Sequence, residues 1–413
     1  MCIRDSDCTG VTGRGHQHHF RQAPQTGDSR VRSQQLIVYP YKSIGVYMTT
    51  KRGVDGLIKA GEIPLIKTLA KKYAPTRAKM KLLDQAAELA AAPDDVERAY
   101  MARELVQCTL PHSEPKGVNV WQRKSGWRSL VIQSGYDDKT GEHIGLPYGT
   151  IPRLLLFWLV TEANYKKNLP DLTDKQRRHI DLGRSLAAFM RAVGLNPETG
   201  GGKRGDARRL RVQMLRLFSS RITFQGTAEA EEAKGKIFRD MSVATEYDLW
   251  WDVKTPEQGT LFHSYLDLGE KFYEAITTMP VPFDLRALRM LSRSPLALDL
   301  YALLAYQAFG IVTNKRPPQF VSWSVLMRQL GTEISTPKNF KAKVQKELRK
   351  VRLAYPGLAV ETIPGGLSIS ANRLAVPRKA AAGEGNDDEA AHPDPVKRLS
   401  KSHETLNRPT SKG

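Results

Sequence analysis

Cysteine is scarce in this sequence. The 413 residues include only Cys2, Cys8 and Cys108, whose spacing matches neither a disulfide framework nor a zinc site. This scarcity is typical of a reducing compartment, so we expect a cytoplasmic protein. The longest uninterrupted apolar run, LLLFWLV at 154–160, is too short to cross a membrane, and the N-terminus lacks the layout of a secretion signal. We therefore expect no disulfides and no membrane partner, and we expect that apolar run to lie in the core.

Acidic residues are also in short supply. Lys and Arg number 63 against 43 Asp and Glu, which gives a net charge of +20. Residues 1–47 contribute +3 and residues 376–413 contribute +1, so +16 lies in 48–375. Because the excess lies where the chain has core-forming residues, it predicts a folded surface that binds a polyanion.

The two ends of the chain lack hydrophobic periodicity. We expect residues 1–47 to be disordered or artefactual, with Met48 as the natural start, and residues 377–413 to be a disordered tail. Residues 48–120 are predicted to form an accessory helical segment, since 57–107 is predicted to be mostly helical, with an alanine-rich stretch at 86–92.

Two regions between these ends show the same order of elements. In the first, TIPRLLLFWLVTEANY (150–165) predicts a helix, and the apolar spacing of 182–193 predicts a second helix that ends at Gly194. An arginine-rich helix follows, and then the β-like stretches RITFQ (221–225) and KIFRDMSV (236–243). In the neighbouring pair Trp250-Trp251, alternation along a strand places one ring outside the core.

The second region begins with the helix SPLALDLYALLAYQAF, capped by Ser294. FVSWSVLMRQLG predicts an extended piece and a helix ended by Gly331, TPKNFKAKVQKELRKVRLAY predicts a long basic helix, and LAVETIPGGLSIS predicts a hairpin turning at 364–366. Three helices followed by a hairpin is the winged-helix order. We therefore predict a mainly α fold with small β-hairpins (α+β), in which winged-helix domains over 121–280 and 281–376 stand in tandem.

The glycine-rich loop in GLNPETGGGKRGDARRLRVQMLRLF (194–218) raises the alternative of a nucleotide site. A phosphate-binding loop needs a glycine five residues before Gly202, where Pro197 stands, and a hydroxyl residue after Lys203, where Arg204 stands. An amphipathic helix precedes the loop instead of a strand. The loop is therefore predicted to be a flexible connection into a helix.

Both basic helices separate charge from apolar side chains. At 100° per residue, Met214, Leu217 and Phe218 lie within about 80° of Leu210, and the arginines lie on the opposite side. Phe340, Val344, Leu348, Val351 and Tyr355 likewise form one stripe of the second helix. Solvated faces normally mix signs, so crowded like charges predict contact with nucleic acid. The predicted DNA-binding residues are Lys203, Arg204, Arg208, Arg209, Arg211, Arg216, Lys234, Lys236, Lys338, Lys341, Lys343, Lys346, Arg349 and Lys350.

Residue patterns typical of catalysis are missing from the sequence. HQHH at 16–19 is similar to the metal-binding histidines of single-strand nickases, but it has no apolar residue between the histidines and no strand pattern. No nucleophile and base are paired by spacing. We expect no enzyme activity, no cofactor and no metal site.

Three long stretches closely resemble plasmid-encoded RepA proteins, a family of plasmid replication initiators. They are GLPYGTIPRLLLFWLVTEA, DLGRSLAAFMRAVGLNPETGGGKRGDARRLRVQMLRLFSS and VPFDLRALRMLSRSPLALDLYALLAYQAF, and the likeness covers about 97–370. The resemblance implies a protein that binds repeated double-stranded sites at a plasmid origin, helps to open the duplex, and brings in the host replication initiator and the replicative helicase. By analogy with two-winged-helix initiators, it also implies a homodimer that represses. The alternative is a winged-helix transcriptional repressor without initiator activity.

Overall fold

The computed structural model describes residues 77–377 apart from 127, 200–204 and 228–235. These residues belong to one compact unit. They contain eleven α-helices and fourteen strands, and the strands form five small antiparallel sheets. The fold is therefore mixed α/β, with more β-structure than the mainly α fold that the sequence predicted. The expectations for 1–76 and 378–413 lie outside the described residues.

The first half of the described chain contains the following elements: α1 (Arg77–Ala91), β1 (Arg98–Ala102), α2 (Arg103–Gln107), β2 (Val120–Ser125), β3 (Arg128–Gln133), β4 (Tyr136–Asp137), β5 (Glu142–His143), α3 (Thr150–Lys167), α4 (Asp174–Arg178), β6 (His179–Gly183), α5 (Leu186–Ala192), a 3₁₀ turn (Pro197–Thr199), α6 (Asp206–Phe218), β7 (Arg221–Thr227), β8 (Lys236–Ser242), β9 (Ala244–Asp248) and β10 (Ser264–Leu268). The second half contains α7 (Glu270–Thr278), β11 (Pro280–Asp284), α8 (Leu285–Leu291), α9 (Pro295–Thr313), β12 (Gln319–Ser322), α10 (Trp323–Gln329), α11 (Pro337–Ala354), β13 (Leu358–Ile363) and β14 (Gly366–Ala371).

The order of elements repeats once along the chain. The first repeat runs α1-β1-α2, then α3-β6-α5-α6-β9-β10, and the second runs α7-β11-α8, then α9-β12-α10-α11-β13-β14. The three-stranded sheets have equivalent strand orders, β6-β10-β9 and β12-β14-β13. The equivalent strands β1 and β11 pair antiparallel, with Tyr100 opposite Pro282. Antiparallel pairing of equivalent strands is what a two-fold rotation axis between the repeats would produce.

The first repeat carries two insertions that pair with each other. The hairpins β2-β3 and β7-β8 join as one sheet in the order β2-β3-β7-β8. Leu130, Ile132 and Ile222 alternate along β3 and β7 and are fully buried. The 221–242 hairpin, predicted as the wing of the first domain, thus completes a sheet with strands that precede α3. The β9-β10 pair occupies the place that β13-β14 have in the second repeat.

Some predicted helical residues form strands. Leu182 lies in β6, where Ile180 and Leu182 are buried in alternation, and the helix starts only after Ser185, whose hydroxyl accepts from the Ala188 amide at 3.3 Å. Gly194 follows α5 with φ +82°, as expected for the residue that ends a helix. Residues 98–102 also form a strand, although a helix was predicted there.

Helices α3 and α9 form the centre of the core. Every residue of the LLLFWLV run in α3 is at most 6% exposed, as predicted for a core helix. Among the described residues, α9 alone has the length and apolar composition of a membrane span, with 67% of the window buried inside the protein. It packs against α3, α11 and β14, so burial in the core accounts for its composition.

Candidate nucleic-acid interface

Helix α11 presents a cationic face to solvent. Its apolar stripe, Phe340, Val344, Leu348 and Val351, is buried, and the helix packs against α9. On the opposite side, the five predicted cations that are exposed are Lys338, Lys341, Lys343, Lys346 and Arg349. Binding the core through one face therefore leaves the other face available to a polyanion.

The last predicted cation of α11 is different. The Nζ of Lys350 donates to Glu347 Oε2 at 2.7 Å, and the Lys350 side chain is only partly exposed. Its charge is already balanced inside the protein. Of the exposed cations, Lys341 also lies over the ring of Trp323, with its Nζ 5.8 Å from the ring centroid.

Only the N-terminal half of α6 presents cations to solvent. Leu210, Met214 and Leu217 face the core. Arg208 and Arg209 are exposed, and Arg209 forms an ion pair with Asp206 at 3.1 Å. Their position in the first turn favours an anion, since the helix N-terminus carries partial positive charge.

The other two predicted arginines of α6 bind other parts of the same chain. The Nη1 of Arg211 donates to the carbonyl oxygen of Trp251 at 2.8 Å. Arg216 pairs with Glu114 at 2.6 Å, and its guanidinium carbon lies 5.2 Å from the centroid of the Tyr148 ring. The helical wheel gave their direction correctly, but loops distant in sequence cover that part of the helix.

The remaining predicted cations lie between residues 203 and 236 of the sequence. Lys203, Arg204 and Lys234 lie outside the described residues. Lys236 begins β8 and pairs with Thr227 in the ladder. Their predicted contact with DNA stays a prediction.

A strap, residues 109–114, holds the turn between α10 and α11. The Thr109 hydroxyl accepts from the Gly331 amide at 2.6 Å, and the His112 amide donates to the Gly331 carbonyl at 2.7 Å. A Cβ on Gly331 would lie 1.6 Å from the Leu110 carbonyl oxygen, so only glycine fits.

The strap and β2 connect the two basic helices. Glu114 of the strap binds Arg216 of α6, and the neighbouring Ser113 donates to Glu333, which lies just before α11, at 2.7 Å. On β2, the Ser125 hydroxyl accepts from Gln329 Nε2 at 2.6 Å. The first repeat, which contains α6, the strap and β2, is thereby joined to the α10–α11 segment of the second repeat.

A buried ion cluster anchors the strap between α3 and α9. Arg153 donates to both carboxylate oxygens of Asp299, at 2.7 and 2.8 Å, and to the carbonyls of Leu110, Pro111 and Gly149. Its side chain is 2% exposed and that of Asp299 is 7% exposed. Sequence reasoning missed this pair, although Asp299, the one charged residue of the apolar helix α9, was an available signal.

The ion cluster also includes His112, whose Nε2 lies 2.8 Å from Asp299 Oδ2. Burial would raise the pKa of Asp299, but the charge of Arg153 and the hydrogen bonds from His112 and Arg153 outweigh it and lower that pKa to about 2. Burial lowers the pKa of His112, and its hydrogen bond to Asp299 offsets this only in part. The strap is thus held by a charged Arg–Asp pair and a neutral histidine.

One Trp of the pair is buried and the other exposed, as predicted, although both follow β9 and neither lies in a strand. Trp251 is 4% exposed and packs on Phe189 with ring centroids 5.1 Å apart, whereas Trp250 is 49% exposed. In the part of the chain that the structure describes, no group of three or more His, Cys, Asp or Glu residues could hold a metal ion. The chemistry of this surface is that of fixed cations and exposed rings.

Residues 146–325 match a family model described as plasmid encoded RepA protein (RepA_C). This match confirms the resemblance predicted from the sequence and is consistent with a RepA-family replication initiator. No curated protein matches the chain.

Two solved structures align weakly with the chain. One, crystallised as SeMet derivatives of domain 2 and domain 3 of RctB, has 13% identity and a TM-score of 0.38 over 66% of this chain and 97% of its own. The other, RctB domains 2-3, has 11% identity and a TM-score of 0.34 over 64% and 94%. TM-scores below 0.5 do not establish a common fold.

Proposed function

We propose that this chain, whose residues 146–325 match the plasmid-encoded RepA family, is a plasmid replication initiator that binds repeated double-stranded DNA sites at its plasmid origin. The observation that carries the proposal is the exposed cationic face of α11. Binding to DNA, without catalysis, is then its mode of action, and its place is the cytoplasm. A folded surface that carries most of a +20 charge suits a duplex better than a small anion.

Each repeat is proposed to be a winged-helix module. In support, α9-β12-α10-α11-β13-β14 has the helix, strand, helix, helix, hairpin order of that fold, and its first strand pairs with its last. The first repeat has the equivalent elements, with β7-β8 inserted after α6. In this assignment α11 and α6 are the recognition helices, and the β9-β10 and β13-β14 loops are the wings.

The two helices are proposed to enter successive major grooves on one face of the duplex. One turn of DNA is about 10–10.5 bp, so one chain covers roughly two turns. Most of the cations contact phosphate and position the protein, and a minority reads base edges. We propose that the strap fixes the distance and angle between α6 and α11. The two DNA segments that these helices contact should therefore have one fixed spacing. The expected protein partners are the host replication initiator, the replicative helicase and a second copy of the chain.

The test is a nuclease footprint of the purified protein on its own replicon. We expect protected direct repeats of about two turns beside an A·T-rich stretch. The Lys341→Gln, Lys343→Gln, Lys346→Gln variant should lose protection. A control variant changes three exposed lysines elsewhere, Lys139, Lys175 and Lys271, and therefore has the same net charge. Equal protection by both variants would remove α11 from the interface.

Two further outcomes separate the competing functions. A single palindrome over a promoter, with no repeats near an A·T-rich stretch, would identify a repressor. Incubation with supercoiled origin DNA, Mg²⁺ and ATP should produce neither nicked circles nor released phosphate. Either product would identify an enzyme and contradict the proposal.

A further inference from the structure

An aromatic pair is exposed on the loop between β9 and β10. Trp250 and Phe262 are 49% and 55% exposed, and their ring centroids lie 4.9 Å apart. Leu261 beside them is 81% exposed. A cluster of apolar side chains on one loop is typical of a contact surface, since leaving it in water costs free energy.

The loop holds this pair in place. The buried Trp251 donates from Nε1 to the Gly183 carbonyl at 3.0 Å, and the Trp250 amide donates to the Ser264 hydroxyl at 2.9 Å. The backbone on each side of the exposed rings is therefore fixed to β6 and β10. The ring of Trp251 lies in the core, whereas the rings of Trp250 and Phe262 lie at the surface.

The pair lies beside α6. Arg211 of α6 donates to the Trp251 carbonyl at 2.8 Å, so this helix contacts the residue next to Trp250. Arg208 is exposed three residues earlier, and residues three apart are neighbours on a helix surface. The aromatic pair thus continues the exposed cationic part of α6.

Local charges favour a polyanion over another copy of the chain. The Glu257 carboxylate is paired with Arg191 at 2.5 Å, and Asp252 accepts from the Lys254 amide at 2.8 Å. The carboxylates of this loop are therefore engaged, and Arg184 beside it is exposed. The exposed cations beside the pair, Arg184 and Arg208, attract a duplex and repel the same surface of a second copy.

We propose that Trp250 and Phe262 wedge into a base step of the duplex next to the groove that α6 occupies. This inference rests on the proposed function and deepens it. Apolar side chains inserted from the minor groove partly unstack a step and kink the duplex, and aromatic rings stack on bases of any sequence. The second repeat has only the two-residue turn 364–365 at the equivalent place, so the deformation comes from the first repeat.

The experiment uses the full chain and its footprinted origin fragment. Permanganate reactivity of thymines reports unstacking, and circularly permuted fragments report the bend angle. We expect the Trp250→Ala, Phe262→Ala variant to protect the same sites with lowered affinity, while the site's permanganate reactivity falls to that of free DNA. A Tyr136→Ala, His143→Ala variant removes another exposed ring pair as the control and should keep both signals.

Unstacking and bend that persist in the Trp250, Phe262 variant would overturn this inference. If that variant also sediments with a smaller mass than the wild type, the pair is a contact between copies. A wild-type protein that binds no DNA would instead refute the proposed function, and this inference with it.

Discussion

Asp299→Asn tests the ion cluster that joins α3, α9 and the strap. The substitution keeps the size of the side chain but leaves the Arg153 guanidinium, 2% exposed, without its buried counter-charge. Removing one partner of a buried ion pair costs about 3–5 kcal/mol. Because Arg153 keeps its bonds to three backbone carbonyls, we expect the lower end, about 3 kcal/mol.

Urea denaturation followed by circular dichroism and tryptophan fluorescence measures this loss, with coincident transitions as the check on two-state behaviour. The matched control is Asp174→Asn, at an ion pair with Arg177 in which Asp174 is 90% exposed, and it should cost less than about 1 kcal/mol. If Asp299→Asn cost no more than this control, the cluster would not be what holds the repeats.

Three further predictions concern the strap and α6. Gly331→Ala should destabilise the protein by about 1–3 kcal/mol in the same urea assay, because its Cβ would meet strap backbone; an unchanged midpoint would contradict the packing. Since burial lowers the pKa of His112 in the folded state, the unfolded state takes up its proton first, and stability should fall as pH drops below about 6.5. This pH dependence should be absent in His112→Gln. The stability that ionised Asp299 contributes should be lost only below about pH 4, as the pH falls towards its folded pKa of about 2. Arg208→Ala with Arg209→Ala should weaken DNA binding in a gel-shift titration at unchanged stability, because both are exposed; a shifted urea midpoint would show that they support the fold.

Local signals predicted much of the fold. The cap at Ser294 and the turn at 364–365 hold in the structure, and so does the buried stripe of α11. Each depends on residues a few positions apart, which helical and strand periodicity can read.

The four-stranded sheet and the ion cluster depend on distant residues. β3 pairs with β7 about ninety positions further along, and Arg153 finds Asp299 across the two repeats. Periodicity and spacing in a single sequence report on nearby residues and do not identify partners this far apart. For the same reason the helical wheel of α6 could not show that Glu114 and Trp251 engage two of its arginines.

The salt dependence of DNA affinity tests most directly whether the exposed face of α11 binds duplex phosphates. Each phosphate contact contributes about −0.9 to the slope of log K against log salt. The Lys341, Lys343, Lys346 glutamine variant should therefore lower the magnitude of that slope by about 2.7, while the variant at Lys139, Lys175 and Lys271 keeps the wild-type slope. Equal slopes for all three proteins would contradict the account.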